Sequence, residues 1–147
     1  MGVVDKFNKR IDELEKVIYP TIQRTVNRNK GDIIDQQTDE QMYKGEDSQG
    51  MQFVPSYAFS TIQSKKRKGQ PTNRVTLKDT GDLYKSINVD AKTTEFIISA
   101  NVEYFKYLVL HYSNNIILGL KREYLTQFVN TKVLPNLEVE FKKIIKK

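Results

Sequence analysis

The chain has no cysteine, no tryptophan and a single histidine among its 147 residues. Without thiols it makes no disulfide and no thiolate zinc site. No apolar run approaches the ~20 residues that a membrane-crossing helix needs. The opening Met1-Gly2-Val3-Val4-Asp5-Lys6-Phe7 lacks the unbroken apolar block of a secretory signal. Lys6 stands where N-myristoylation of Gly2 requires Ser or Thr. The expectation is a protein with no membrane partner, cytosolic where it is made.

Groups suited to catalysis are sparse. A serine hydrolase needs a base within hydrogen-bond reach of its nucleophile. His111 is the only histidine, and it lies in the aromatic, apolar run Tyr104–Tyr112, where a core or interface role is expected. A metal nuclease needs convergent carboxylates. Asp90 falls on a predicted strand, Glu138 and Glu140 on a predicted helix, and Asp32, Asp35, Asp39 and Glu40 on what reads as the solvated face of another. Asp47-Ser48-Gln49-Gly50 lacks the ligand spacing and closing glutamate of a calcium loop, and reads as an Asx turn. No phosphate-binding glycine loop occurs. No catalytic residue, metal site or cofactor is expected.

The net charge of +6 is unevenly spread. Lys65, Lys66, Arg67, Lys68 and Arg74 lie close together with no acid between them. From Lys121 to Lys147 seven basic residues face three glutamates, which leaves the rest of the chain mildly acidic. Such clusters attract phosphates or an acidic protein surface. They are also what a solubilising loop and a charged helix end look like.

At this length and with 38% hydrophobic residues the chain can bury one core, so 1–147 reads as a single domain. An N-terminal helical segment, 3–43, opens with Phe7, Ile11, Leu14 and Ile18 on one stripe, continued by Ile22 and Val26. Pro20 predicts a kink or restart near Tyr19, and Asn27–Gly31 predicts a break before a second helix over 32–43. A core of mixed α and β structure follows over 50–120, with a short helix across 56–66 and a loop across 68–73. Ile87, Val89 and Ala91, then Phe96, Ile98, Ala100 and Val102, alternate with polar residues as the arms of a hairpin over 87–102. Met51–Val54 or Arg74–Leu77 would add a third strand, since a lone hairpin is marginal. A helix over 103–112 carries Phe105, Leu108, Val109 and Tyr112 on its main stripe and Tyr104, Tyr107 and His111 on a second face. Ile116 and Leu118 anchor the next turn, and a C-terminal helix, 121–147, is interrupted at Pro135.

The most informative stretch is Val75-Thr-Leu-Lys-Asp-Thr-Gly-Asp-Leu-Tyr-Lys-Ser-Ile87. It predicts an extended piece, a turn at Gly81 and one tight helix capped by Thr80 or Asp79, with Leu83 and Ile87 facing a core. The pattern Leu-x-x-Thr-Gly-x-Leu-x-x-Ser-Ile, met by Leu77, Thr80, Gly81, Leu83, Ser86 and Ile87, resembles the signature of phage virion-morphogenesis proteins, the tail-completion or head–tail joining family. The clusters Gln41–Gly50, Tyr57–Lys65, Lys68–Leu77 and Tyr112–Leu120 follow in a similar order, so the resemblance spans roughly residues 41–125.

The fold class read from the residues is α+β, a small antiparallel sheet packed by helices from both termini. The resemblance implies a structural virion protein of the neck, made in the host cytoplasm and assembled as a homo-oligomeric ring. Its partners would be portal or connector and tail proteins, with non-specific proximity to DNA in the channel. Lys65, Lys66, Arg67, Lys68, Tyr104, Tyr107 and His111 are the candidate interface residues. A nucleic-acid-binding module using residues 65–68 and the C-terminal lysines is the alternative.

Overall fold

The computed structural model describes residues 2–147. The chain begins with α1 (Val3–Arg28), a helix of about 39 Å at 1.5 Å per residue. Pro20 lies inside this helix, where a kink or restart was expected. Pro20 and Lys16, whose carbonyl loses its donor, both lie on the exposed side. Water can hydrate the orphaned carbonyl there, so the helix continues. Asn29 ends α1, its backbone N–H reaching the carbonyls of Thr25 and Val26 and its side chain the carbonyl of Thr25 at 2.8 Å. The second helix starts as α2 (Lys30–Asp35) and runs on through a π-helical segment, Gln36–Met42.

A loop then leads to α3 (Phe59–Arg67) and the single-turn α4 (Asp82–Ser86), which feeds directly into β1 (Ile87–Ala91). The antiparallel partner is β2 (Phe96–Ala100), in register Ile87↔Ala100 to Ala91↔Phe96. Alternation in β1 is complete, with Ile87, Val89 and Ala91 inside and Asn88 and Asp90 outside. The sheet has these two strands among the described residues, and Val102 lies beyond β2. The expected third strand is absent. Arg74–Leu77 forms no ladder and turns at Leu77, while Met51–Val54 contributes one isolated bridge, Glu46↔Gln52. The hairpin instead gains its support from helices, because α1 and α2 pack on β1 and α4 packs on β2.

After α5 (Phe105–His111) the chain passes through an irregular segment of turns and bends into α6 (Arg122–Phe128), a second π-helical segment (Val129–Val133) and α7 (Leu134–Ile145). Pro135 does not interrupt this run. It occupies the first turn of α7, and the wider π turn comes just before it, where the missing amide would otherwise leave a gap in the ladder. The long helix packs back along α1, and Asn136 Nδ2 donates to Thr25 Oγ1 at 3.1 Å. No helix of the described residues is long and apolar enough to cross a membrane.

Two apolar clusters form the core. Met42, Phe53, Val75, Leu83, Tyr84, Ile87, Tyr112 and Ile117 make one; Val26, Ile33, Val89, Ala91, Phe128 and Val133 make the other. β1 spans both, and Ile34 and Ile98 pack against each. The anchor of the turn after α5 is Ile117 and not Ile116, which is 58% exposed. Val109 is also exposed, so the inner stripe of α5 reduces to Phe105 and Leu108, with the buried Tyr112 just beyond the helix.

Asp32, Asp35, Asp39 and Glu40 do form the solvated face of the helix over 32–43, but its opposite face is unusual in being polar as well as buried. Gln37 and Gln41, four residues apart, are fully buried. Gln37 Oε1 accepts from the Gly119 amide at 2.8 Å and its Nε2 donates to the Ile117 carbonyl at 3.3 Å. Gln41 Nε2 donates to the Gly119 carbonyl at 2.7 Å and its Oε1 accepts from the Lys121 amide at 2.8 Å. The two side chains thus serve residues 117, 119 and 121 as a neighbouring strand would. Gly119, at φ 125, also lets Ser48 approach so closely that a Cβ would lie 3.2 Å from the serine Cβ.

Buried Asp47 ties the adjoining loop in place. Its Oδ1 accepts from the amides of Gln49 and Met51, both at 2.9 Å, and its Oδ2 from Asn115 Nδ2 at 2.8 Å. The first of these bonds is the expected Asx turn.

Replacing Gln41 with Leu keeps the volume but leaves the Lys121 amide and the Gly119 carbonyl without a side-chain partner. The expected loss is about 2–4 kcal/mol, the cost of two orphaned groups. Urea denaturation reads it, and a loss comparable to that of an exposed-site change such as Glu40→Ala would contradict it.

Candidate functional site

The motif stretch folds as a strained loop ahead of a short helix. Val75 and Thr76 are buried, and Leu77 then turns into the left-handed region at φ 56, the only non-glycine residue among those described to do so. For an L-residue that conformation costs about 1–2 kcal/mol. Gly81, at φ 89, makes the second reversal and is itself the N-cap of α4. Neither Thr80 nor Asp79 caps this helix as expected. Thr80 Oγ1 receives only a long 3.4 Å contact from the Asp82 amide, and the Asp79 carboxylate is drawn to Lys68.

Long polar side chains offset the strain. Tyr57 Oη accepts from the Thr76 amide at 2.9 Å, and Tyr84 Oη donates to the Thr76 carbonyl at 2.6 Å. Burial raises the Tyr84 pKa well above the usual phenol range, so the hydroxyl stays a donor. Lys65 Nζ donates to the Lys78 carbonyl at 2.8 Å and to Gln70 Oε1 at 3.2 Å, and lies 4.9 Å from the centre of the Tyr57 ring. Gln70 Nε2 donates to the Asp79 carbonyl at 2.8 Å. Lys78 Nζ sits over the rings of Tyr43 and Tyr84 at 5.5 and 5.1 Å.

The remaining motif residues have plain packing roles. Leu83 and Ile87 are buried in the first cluster. Ser86 Oγ donates to the Leu83 carbonyl at 2.8 Å and accepts from the Asn101 amide at 3.2 Å, joining the end of α4 to the exit of β2.

Between α3, this loop and α5 runs a groove of about 660 Å³. Ser60, Thr61 and Ser64 form its α3 wall, Leu77 and Thr80 its loop wall, and Tyr104 and Leu108 its α5 wall. Tyr112 also lines it, and burial pushes this phenol up to about 12. Motif, basic cluster and aromatic helix, which are separate in sequence, therefore meet at one place.

The seven candidate interface residues divide. Lys66, Arg67 and Lys68 are exposed, Lys68 being paired to Asp79, whose pKa that contact lowers. Tyr104 and Tyr107 are 42% and 63% exposed. His111 is exposed and stacks edge-on against Tyr112 at 4.8 Å. Lys65 departs from expectation: it is 6% exposed, because its ammonium braces the motif loop from within. Sequence reasoning also passed over the Ser/Thr wall of α3. Its signal was there in the small hydroxyl residues at 60 and 64, one turn apart on a helix.

The carboxylates weighed as metal ligands stay apart. Asp90 pairs with Lys92 at 2.7 Å, Glu138 with Lys142 at 2.8 Å and Glu140 with Lys143 at 2.9 Å, each on or beside its own element. Among the described residues no three His, Asp or Glu side chains are grouped to hold a metal ion.

Lys65→Met should cost about 1–3 kcal/mol, since it strips a buried carbonyl of its partner. Lys66→Met should stay within about 0.5 kcal/mol, as exposed changes do. Equal small effects in thermal or urea unfolding would contradict the bracing role of Lys65.

In comparisons with known proteins, no family model, no curated protein and no solved structure matches the chain.

Proposed function

We propose that this chain is a structural subunit of the phage head–tail junction, a neck or tail-completion ring component that acts by assembling with copies of itself and with neighbouring virion proteins. The observation that carries the reading is surface. The chain exposes 9683 Å² at 17.1 kDa, whereas a compact monomer of that mass exposes about 7,750 Å². The surplus, roughly 1,900 Å², is comparable to the 1,600 ± 400 Å² of a standard interface. A ring subunit gives about half that area to each of two neighbours.

Large apolar side chains contribute to this surface. Val3, Val4 and Phe7 on α1, Tyr107 and Leu110 on α5, and Ile145 on α7 are all more than half exposed. Contacts through two unlike patches close into a ring when the rotation between subunits allows it. The ordered motif resemblance over residues 41–125 is what suggests the neck as the place, and the helices carry the exposed apolar patches that such assembly would use.

The DNA-binding alternative has less to stand on. Lys65 is buried, Lys68 is paired with Asp79, and Lys142 and Lys143 are paired within α7. Duplex binding should be negligible at about 50 mM salt, where a phosphate-contacting module would bind with a log–log salt slope near −0.9 per contact. For the main proposal, quantitative mass spectrometry of purified particles is expected to find many copies of the chain per virion. Particles that lack it, while infected cells accumulate it, would contradict the proposal.

A further inference from the structure

The first half of α1 is an arm without a local partner. Val4, Phe7 and Ile11 fall at i, i+3 and i+7 and are 70%, 62% and 39% exposed. Further along the same stripe Leu14 and Ile18 are half-buried, and Thr21 and Thr25 are buried where α7 packs on α1. The stripe is therefore one continuous seam that α7 covers only in its second half. The i, i+3, i+7 pattern of anchors is how an amphipathic helix seats itself in an apolar groove.

One groove of the molecule has that character. It holds about 550 Å³ between the hairpin and the segment entering α6, and Ile22, Val26, Phe96, Ile97, Leu120 and Leu125 give it an apolar lining. Ile97 and Leu125 at its edge are 43% and 40% exposed, a high value for large apolar side chains. The arm cannot reach this groove in its own chain. Ile22 and Val26 belong to the same helix as the arm, and Phe7 stands about 22 Å from Ile22 along that rigid axis. Another copy has no such restriction.

We infer that the arm of one subunit, anchored by Val4, Phe7 and Ile11, docks in the hairpin–α6 groove of a second copy. This contact rests on the self-assembling reading above and names its two faces. It joins unlike patches, so each subunit offers one arm and one groove, and the contact propagates from copy to copy. Arg10 precedes Ile11 on the arm, and the groove's lining carries Glu95 together with Lys92, the latter already paired with Asp90. Arm and groove together supply the two half-interfaces that the surface surplus calls for.

The absence of native cysteine makes the test direct. Full-length Phe7→Cys and Ile97→Cys variants are prepared, mixed at millimolar concentration and oxidised. The mixture is expected to yield a disulfide-linked dimer that neither variant yields alone, and the double variant a ladder of higher multimers. Dimers from Phe7→Cys alone would mean that two arms pair with each other and would overturn the inference. No cross-linked dimer in the mixture would overturn it as well. In parallel, Phe7→Glu should weaken concentration-dependent association at least tenfold in sedimentation, whereas Phe59→Glu, at a still more exposed site on α3, should not. If cross-links fail while particles still contain many copies, the arm contact is wrong and the neck reading stands. If cross-links form and particles lack the chain, the reverse holds.

Discussion

Two glutamine side chains hold the two ends of this fold together. Gln37 and Gln41 project from the helix that follows α1, and the residues they bond, 117 to 121, immediately precede the C-terminal helices. Each amide uses its oxygen and its nitrogen on the backbone of that segment, so no polar group of the clamp is left unpaired in a dry place. The geometry allows little tolerance. A strand partner there would need backbone from elsewhere, and the chain has none to spare. Both glutamines lie in the π-helical segment Gln36–Met42, four residues apart and on one face. Around the clamp, Asp47, Asn115 and the Lys121–Glu46 ion pair at 2.7 Å close the remaining loop, and Gly119 admits Ser48.

What the sequence made legible follows from where the physics is local. Val89 and Ala91 alternate with polar neighbours because one face of the hairpin is dry, and that pattern survives intact in β1. The break at Asn29 and the packing of Leu83 and Ile87 were likewise set by spacing within a few residues. The illegible parts depend on distant partners. Nothing near Gln41 marks it as buried, because its partners lie about eighty positions on. Lys65 sits in an uninterrupted basic run and looks like its neighbours; only the strained loop it braces singles it out. Pro20 and Pro135 carried a cost that their settings absorb, one by solvent and the other by a widened turn. The groove, likewise, is assembled from three segments whose nearness is purely tertiary.

The division of labour in the molecule follows. One apolar cluster underlies the motif loop and α5; the other underlies the base of α1 and the C-terminal helices, and β1 couples them. Leu77 is held in an unfavourable conformation by a surrounding set of tyrosines and lysines, and the consequence is a fixed wall for the groove beside α3. The first half of α1 carries exposed apolar side chains beyond the part that α7 covers. The fold leaves apolar faces of its helices uncovered, and among the described residues no three His, Asp or Glu side chains are grouped to hold a metal ion. The contrast between an interior in which Gln36 Oε1 is the one buried side-chain polar atom without a partner among the described residues, and helices that are incompletely covered, is the physical basis for the assembly proposed above.

The clamp is the point on which this account turns, and native-state hydrogen exchange measures it directly at two atoms. The amides of Gly119 and Lys121 lie in a segment without regular secondary structure, yet each donates to a glutamine oxygen in the interior. They should therefore exchange as slowly as the amides of β1, by global unfolding alone. Exchange of either at the rate of an open surface loop, with β1 still protected, would show that the two ends of the fold are not joined there.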